Sequence, residues 1–166
     1  MISSFTQRVD PRELEIVARH IATYPVKVGA LATDLGLKVT RAPLSPKISG
    51  LIQPSAEAPA GYEIRVNKYE TPERQRFTVA HEIAHYLLHR DDIGAGVVDS
   101  IMYRSSLTSR KETEANRLAA DITMPADAVA KELKKVGGAR DADAASALAD
   151  IFRVSLPAMK VRLGVA

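Results

Sequence analysis

The stretch RFTVAHEIAHYLLH, residues 76–89, decides how the rest of this 166-residue chain is read. Just before it stand Thr71, a helix N-cap, and Pro72 at the first helical position, so the spacing predicts one helix from there to about His89. Within that helix lies the pattern His81-Glu82-x-x-His85. Four residues at ~100° each return the second imidazole to nearly the same face, one turn and ~6 Å along, so both rings can reach one ion at ~2.0–2.1 Å. Glu82 is rotated ~100° from the first ligand and sits beside the open position of the ion. There it can take a proton from water activated by the metal and pass it to a departing amine, zinc lowering the pKa of that water to ~7. The bland alternative is an exposed charged helix with accidental histidines. Ile83, Ala84, Leu87 and Leu88 argue against it, because they make most of the remaining helix surface apolar and so enclose the His/Glu face.

The third histidine of the cluster, His89, reads differently. On an unbroken helix it lies ~80° around and ~12 Å along from His81, too far to share the ion with both others. It is expected to be a helix C-terminal histidine placed against the dipole. The chain has no cysteine, so the third ligand is sought among carboxylates. The segment Lys111-Glu112-Thr113-Glu114-Ala115-Asn116 opens the next strong helix. Glu112 and Glu114, two residues apart, cannot share a face, whereas Glu112 and Asn116 do, which lets Glu112 bind while Asn116 steadies a ligand from behind. Glu114 is the alternative ligand. For either glutamate the competing role is a first-turn acid favoured by the helix dipole.

Working outward, residues 11–23 form an amphipathic helix behind Asp10 and Pro11, with Leu14, Val17, Ala18 and Ile21 on one stripe. A second short helix runs from Val28 to Leu35 and stops at Gly36, with an extended segment from Leu37. Strands are expected at Ile48–Gln53 and Tyr62–Asn67, bounded by the turn-rich clusters Pro43–Gly50 and Pro54–Tyr62. A small antiparallel sheet is the simplest arrangement. Residues 90–110 read as a loop with a strand-like piece at 100–104, and helices follow from about Arg110 to Met124, Ala126 to Val136, Asp141 to Phe152 and Leu156 to Leu163. The expected organisation is one α+β domain over 1–166. It comprises N-terminal helices (10–36), sheet and catalytic helix (37–90), second-motif helix (110–124) and a C-terminal helical tail (126–166).

Composition narrows the function classes. Hydrophobic residues make up 46% and charged residues 26%, which is globular rather than disordered. No run approaches a membrane span and the start MISSFTQRVD lacks the apolar core of a secretory signal, so a cytoplasmic address and no membrane partner are expected. The formal charge is +3 with a pI near 9.2, and the basic residues are scattered among acidic ones with no tract that would mark a nucleic-acid-binding arm.

RFTVAHEIAHYLLH followed by ETEANRLAADITMP (112–125) resembles the ImmA/IrrE family of metallopeptidases. Its members join an R-F-x-x-A-H-E-x-x-H-x-x-x-H helix to an E-x-E-A-N/D-x-x-A-x-x-x-M-P helix, and the match is close over residues 76–125. The resemblance implies a compact gluzincin-like fold, one zinc or another divalent ion such as Mn2+ on His81, His85 and the Glu112 position, and Glu82 as general base. It also implies a substrate, a helix-turn-helix transcriptional repressor cut at one site in a stress response or during mobile-element induction. The chain departs from the family in having Leu118 where Phe is common and Thr123 near the end of the second helix. It is too short to hold a full repressor domain as well, so the repressor is expected to be a separate protein.

Two other readings compete. The tail ASALADIFRVSLPAMKVRLGV has the cadence of a helix-turn-helix, which would make the chain a DNA reader. Its second helix opens on Leu156-Pro157-Ala158 with only Lys160 and Arg162 basic, so a packing or partner-docking role is expected and direct DNA binding is not. The other is a non-proteolytic regulator that acts by binding its partner. For the oxyanion of the reaction, Tyr103 and Arg104 are candidate donors by position alone, the competing role of Tyr103 being a half-buried strand residue.

Overall fold

A computed structural model of the chain describes residues 5–94, 96–100 and 108–166. The architecture is α+β. Helix α1 (Pro11–Ile21) begins where Asp10 accepts from the Arg12 amide, and α2 (Val28–Asp34) leads through Gly36 into the sheet. Gly36 has a φ of +82°, and a Cβ there would sit 3.0 Å from the Ala60 backbone nitrogen, so both the turn and the close approach call for glycine.

Four strands follow: β1 (Lys38–Ala42), β2 (Ile48–Pro54), β3 (Tyr62–Asn67) and, beyond the helix at Pro72–Leu88, β4 (Val97–Ser100). Their order across the sheet is β1-β3-β2-β4. β2 and β3 form an antiparallel hairpin with Ile52 opposite Ile64, and β4 pairs antiparallel with the other edge of β2. β1, however, lies parallel to β3, with Val39 opposite Ile64. The sheet is therefore mixed, which corrects the antiparallel arrangement expected from the sequence. β1 and β2 do run in opposite directions, but β3 inserts between them, so β1 meets a parallel neighbour. The buried Asn67 amide fastens the crossing loop by donating to the carbonyls of Leu44, Ser45 and Ile48 at 3.3, 3.1 and 2.9 Å.

Helix α3 (Pro72–Leu88) starts at Thr71, whose hydroxyl accepts from the Arg74 amide, and every residue from Thr78 to Leu87 is buried. It packs between the sheet and α4 (Ser109–Thr123), itself capped by Thr108. The expected strand at 100–104 falls mainly outside the described residues. These elements share a core that includes Val17, Leu31, Ile52, Ile64, Ile83, Leu118 and Ile122.

The tail forms a second cluster. Pro125 follows α4 and opens α5 (Ala126–Lys135), after which come α6 (Ala142–Phe152) and α7 (Leu156–Leu163), with Met124, Leu148, Phe152 and Met159 at the centre. Tyr24 touches both clusters, stacking on Phe152 at 4.9 Å between ring centroids. Arg76 of α3 donates to the carbonyl of Arg153 at 3.1 Å, and Arg162 of α7 donates to the Met124 carbonyl at 2.7 Å and to Asp121 at 3.0 Å. The tail is thereby held against α3 and α4, and Arg162 is committed to an internal contact. No helix among the described residues is long and apolar enough to cross a membrane.

Candidate metal centre

His81 and His85 lie one turn apart on α3, and Glu112 in the first turn of α4 faces them. His81 Nε2 is 3.3 Å from Glu112 Oε2 and His85 Nε2 is 3.1 Å from Glu112 Oε1. One ligand atom from each residue lies within 4.8 Å of the others. Ligands bonded tetrahedrally to one ion at ~2.0–2.1 Å stand about 3.3 Å from one another, and the two nitrogen–oxygen contacts, which run to different oxygens of the one carboxylate, are of that size. Two imidazoles and a carboxylate are also a donor set that zinc takes in catalytic sites.

Each imidazole is held from behind. His81 Nδ1 is 2.9 Å from Asn116 Oδ1, one turn along α4 from Glu112. The amide oxygen can only accept, so His81 carries its proton on Nδ1 and turns Nε2 to the cluster. His85 Nδ1 is 3.0 Å from His89 Nδ1, and His89 Nε2 is 3.0 Å from Glu114 Oε1. Arg8 reaches the same carboxylate, Nη1 donating to Oε2 at 2.5 Å. Arg8 above all, with His89 adding and burial opposing, holds Glu114 at about 2, while burial pushes His89 below the ordinary histidine range against the pull of Glu114.

Glu112 and Asn116 fall where the helical spacing put them. Glu114, the alternative ligand, points to His89 and Arg8 instead of joining the cluster. His89 is not simply a residue set against the helix dipole. As the C-cap of α3, with φ −127° and ψ 26°, it leaves the helical path and turns back to His85, and it is 2% exposed. Straight-helix arithmetic misses that return. Tyr103 and Arg104 lie outside the described residues.

Glu82 is fully buried on the side of α3 that meets the sheet. Beneath it stands Gly50 of β2, where a Cβ would lie 3.7 Å from Glu82 Oε2, 2.9 Å from the Arg65 carbonyl oxygen and 2.5 Å from Thr78 Cγ2. Sequence reasoning gave Gly50 no role, placing it both at the end of a turn-rich stretch and within the expected strand Ile48–Gln53. The available signal was a glycine inside a strand pattern, a mark of close backbone approach.

The cluster opens into a cleft of about 520 Å3 lined by His81, Glu112 and Asn116 together with Phe77 and Thr78 of α3 and Val154, Ala158 and Val161 from the tail. A groove between α4 and α7 adjoins it, sharing Phe77, Asn116, Ala158 and Val161. Val161 is 81% exposed on this rim. The tail thus serves as a wall of the cleft as well as a packing element.

A histidine pair on one helix, met by a carboxylate from the next at the foot of a cleft, marks the metallopeptidases as a class. The model of the IrrE N-terminal-like domain matches residues 32–164, and the chain belongs to the ImmA/IrrE family of metallopeptidases. It is similar to the radiation response metalloprotease IrrE of Deinococcus radiodurans, 39% identical over 74 residues that cover 45% of this chain and 23% of that protein. It is likewise similar to the radiation response metalloprotease IrrE of Deinococcus deserti, 38% identical over 79 residues covering 48% of this chain and 28% of that protein. The matched stretch spans about a quarter of the length of these relatives. Membership in a metallopeptidase family implies a divalent metal.

Proposed function

We propose that this chain is a zinc-dependent endopeptidase that cuts a helix-turn-helix transcriptional repressor at one site in the cytoplasm, relieving repression in a stress response or mobile-element induction. The observation that carries the reading is the convergence of His81, His85 and Glu112, with the buried Glu82 next after His81 on α3. In this reading those three residues hold one ion in a gluzincin-like arrangement, and residues 1–166 act as a single unit whose tail shapes the cleft. When bound, the ion supplies Lewis-acid polarisation of the scissile carbonyl and of the attacking water. Glu82 accepts the proton that the water loses as its oxygen bonds to the carbonyl carbon, and returns it to the amide nitrogen as the carbon–nitrogen bond breaks. Asn116 keeps His81 oriented throughout.

Support for a selective substrate comes from the cleft, which is bounded by α7 and therefore favours a loop or extended segment presented by a particular partner. Both relatives are radiation response metalloproteases, which supports the stress setting. The test mixes zinc-loaded protein with helix-turn-helix repressors of the same organism and follows intact mass, with a gel shift of the protein alone on their promoters in parallel. Two repressor fragments whose formation needs Glu82 are expected. Tight sequence-specific DNA binding without cleavage would replace the peptidase reading with that of a DNA reader.

A further inference from the structure

His89 and Glu114 are the two motif residues that the proposed chemistry leaves unused, and both are tied to His85. If His85 turns Nε2 toward the ion, its one proton sits on Nδ1 and must be donated. The atom it meets at 3.0 Å is His89 Nδ1, which then accepts and leaves the His89 proton on Nε2. That proton points to Glu114 Oε1, also at 3.0 Å. The Glu114 carboxylate can only accept, and its other oxygen takes Nη1 of Arg8 at 2.5 Å, with Arg8 Nη2 on Oε1 at 3.3 Å. An arginine can only donate. With the ion on Nε2 of His85 and His89 neutral, every link in the chain from Arg8 to His85 takes one proton arrangement, and it is the one that keeps Nε2 of His85 able to bind. A histidine present only to answer the helix dipole would need none of these partners.

We infer that Arg8, Glu114 and His89 form a positioning relay that fixes His85 in its Nδ1-protonated tautomer, so that the segment preceding α1 sets how tightly the site retains metal. The inference rests on the reading of His85 as a ligand. Arg8 and Glu114 are 106 residues apart in the chain, so the relay joins the N-terminal segment to α4 and the end of α3. Arg8 has a side chain 43% exposed, and replacing it leaves the buried core intact.

The experiment measures the zinc Kd of the purified chain by competition with a chromophoric chelator, and the His85 tautomer by nitrogen-15 NMR of the zinc-loaded protein. His89→Leu and Glu114→Ala are expected to raise the Kd by about 10–100-fold, the usual consequence of removing a partner behind a metal ligand. Arg8→Ala raises it less, because Glu114 keeps His89. His89→Gln restores most of the affinity, since an amide offers an accepting oxygen and a donating nitrogen in the same order as the ring. A merely structural histidine would predict equal losses for Leu and Gln. Unchanged zinc affinity and His85 tautomer in His89→Leu, Glu114→Ala and Arg8→Ala, with His81→Ala having lost zinc, would overturn the relay and leave the metal site standing. Zinc retained by His81→Ala would overturn the site itself, and the relay with it.

Discussion

Gly50→Ala is the most informative single methyl that can be added to this protein. The new Cβ would stand 2.5 Å from Thr78 Cγ2 and 2.9 Å from the Arg65 carbonyl oxygen, where unstrained carbon contacts lie at ~3.5–4.0 Å. The sheet and α3 must therefore part by about 1 Å, an overpacking that costs about 1–3 kcal/mol. At 166 residues, 2 kcal/mol lowers Tm by about 4–8 °C. Thr78 precedes Glu82 by one helical turn, so the same displacement moves the carboxylate, and a shift of ~1 Å at a reacting group can cost ~10²-fold in rate. The assay compares thermal midpoint, bound metal and initial cleavage rate in Gly50→Ala, Thr78→Ser and the double variant. Gly50→Ala is expected to lose stability and rate while keeping metal, because His81 and His85 face Glu112 rather than β2. Thr78→Ser removes the closest methyl and should recover much of the loss in the double variant, with a coupling of about 0.5–3 kcal/mol. Recovery stays incomplete because the Arg65 carbonyl is backbone. Wild-type stability and rate in Gly50→Ala, or strict additivity in the double variant, would refute the contact as the reason for glycine here.

Other perturbations give separate signatures. Glu112→Ala is expected to abolish tight zinc binding in a chelator competition, whereas Asn116→Ala, acting through His81, weakens it by ~10–100-fold. Val161→Asp, on the exposed rim of the cleft, should raise KM for the repressor while metal content and Tm stay at wild-type values, as a surface change of ~0.5 kcal/mol or less allows. Glu132 is held below its ordinary value of 4.5, first by its hydrogen bond to Lys135 and also by the Tyr24 hydroxyl, against the effect of burial. Its contribution to stability is complete above that value and is lost as pH falls through the lowered one. The Tm advantage of wild type over Glu132→Gln should accordingly shrink as pH falls below 4.5 and be largest near neutrality.

The parts of the site that could be read from the sequence are those set by helical periodicity. The 3.6-residue repeat puts His81 and His85 on one face of α3 and Glu112 and Asn116 on one face of α4, and the packing of the two helices brings those faces together. Capping chemistry likewise located the starts of α1 and α3 from Asp10, Pro11, Thr71 and Pro72. What resisted was decided between elements. The role of His89 depends on α3 ending at Leu88, which frees the next residue from the helical path, and on α4 bringing Glu114 alongside. Arg8 enters from a segment with no periodic signal. The parallel pairing of β1 follows from strand order, which alternation of apolar and polar residues does not encode, since both faces of a strand look the same in either direction. Gly50 was visible as a glycine, but its reason is a helix packed above it.

The most direct test of a metal-dependent peptidase at this site is the cleavage rate of Glu82→Gln at full metal occupancy, followed by intact mass on the repressor. The substitution preserves shape and the histidine cluster while removing the group that moves the proton. The account predicts one equivalent of metal, a wild-type fold and cleavage slowed by about 10²–10⁴-fold, the scale of general acid–base catalysis. Cleavage at the wild-type rate by that metal-loaded variant would contradict it.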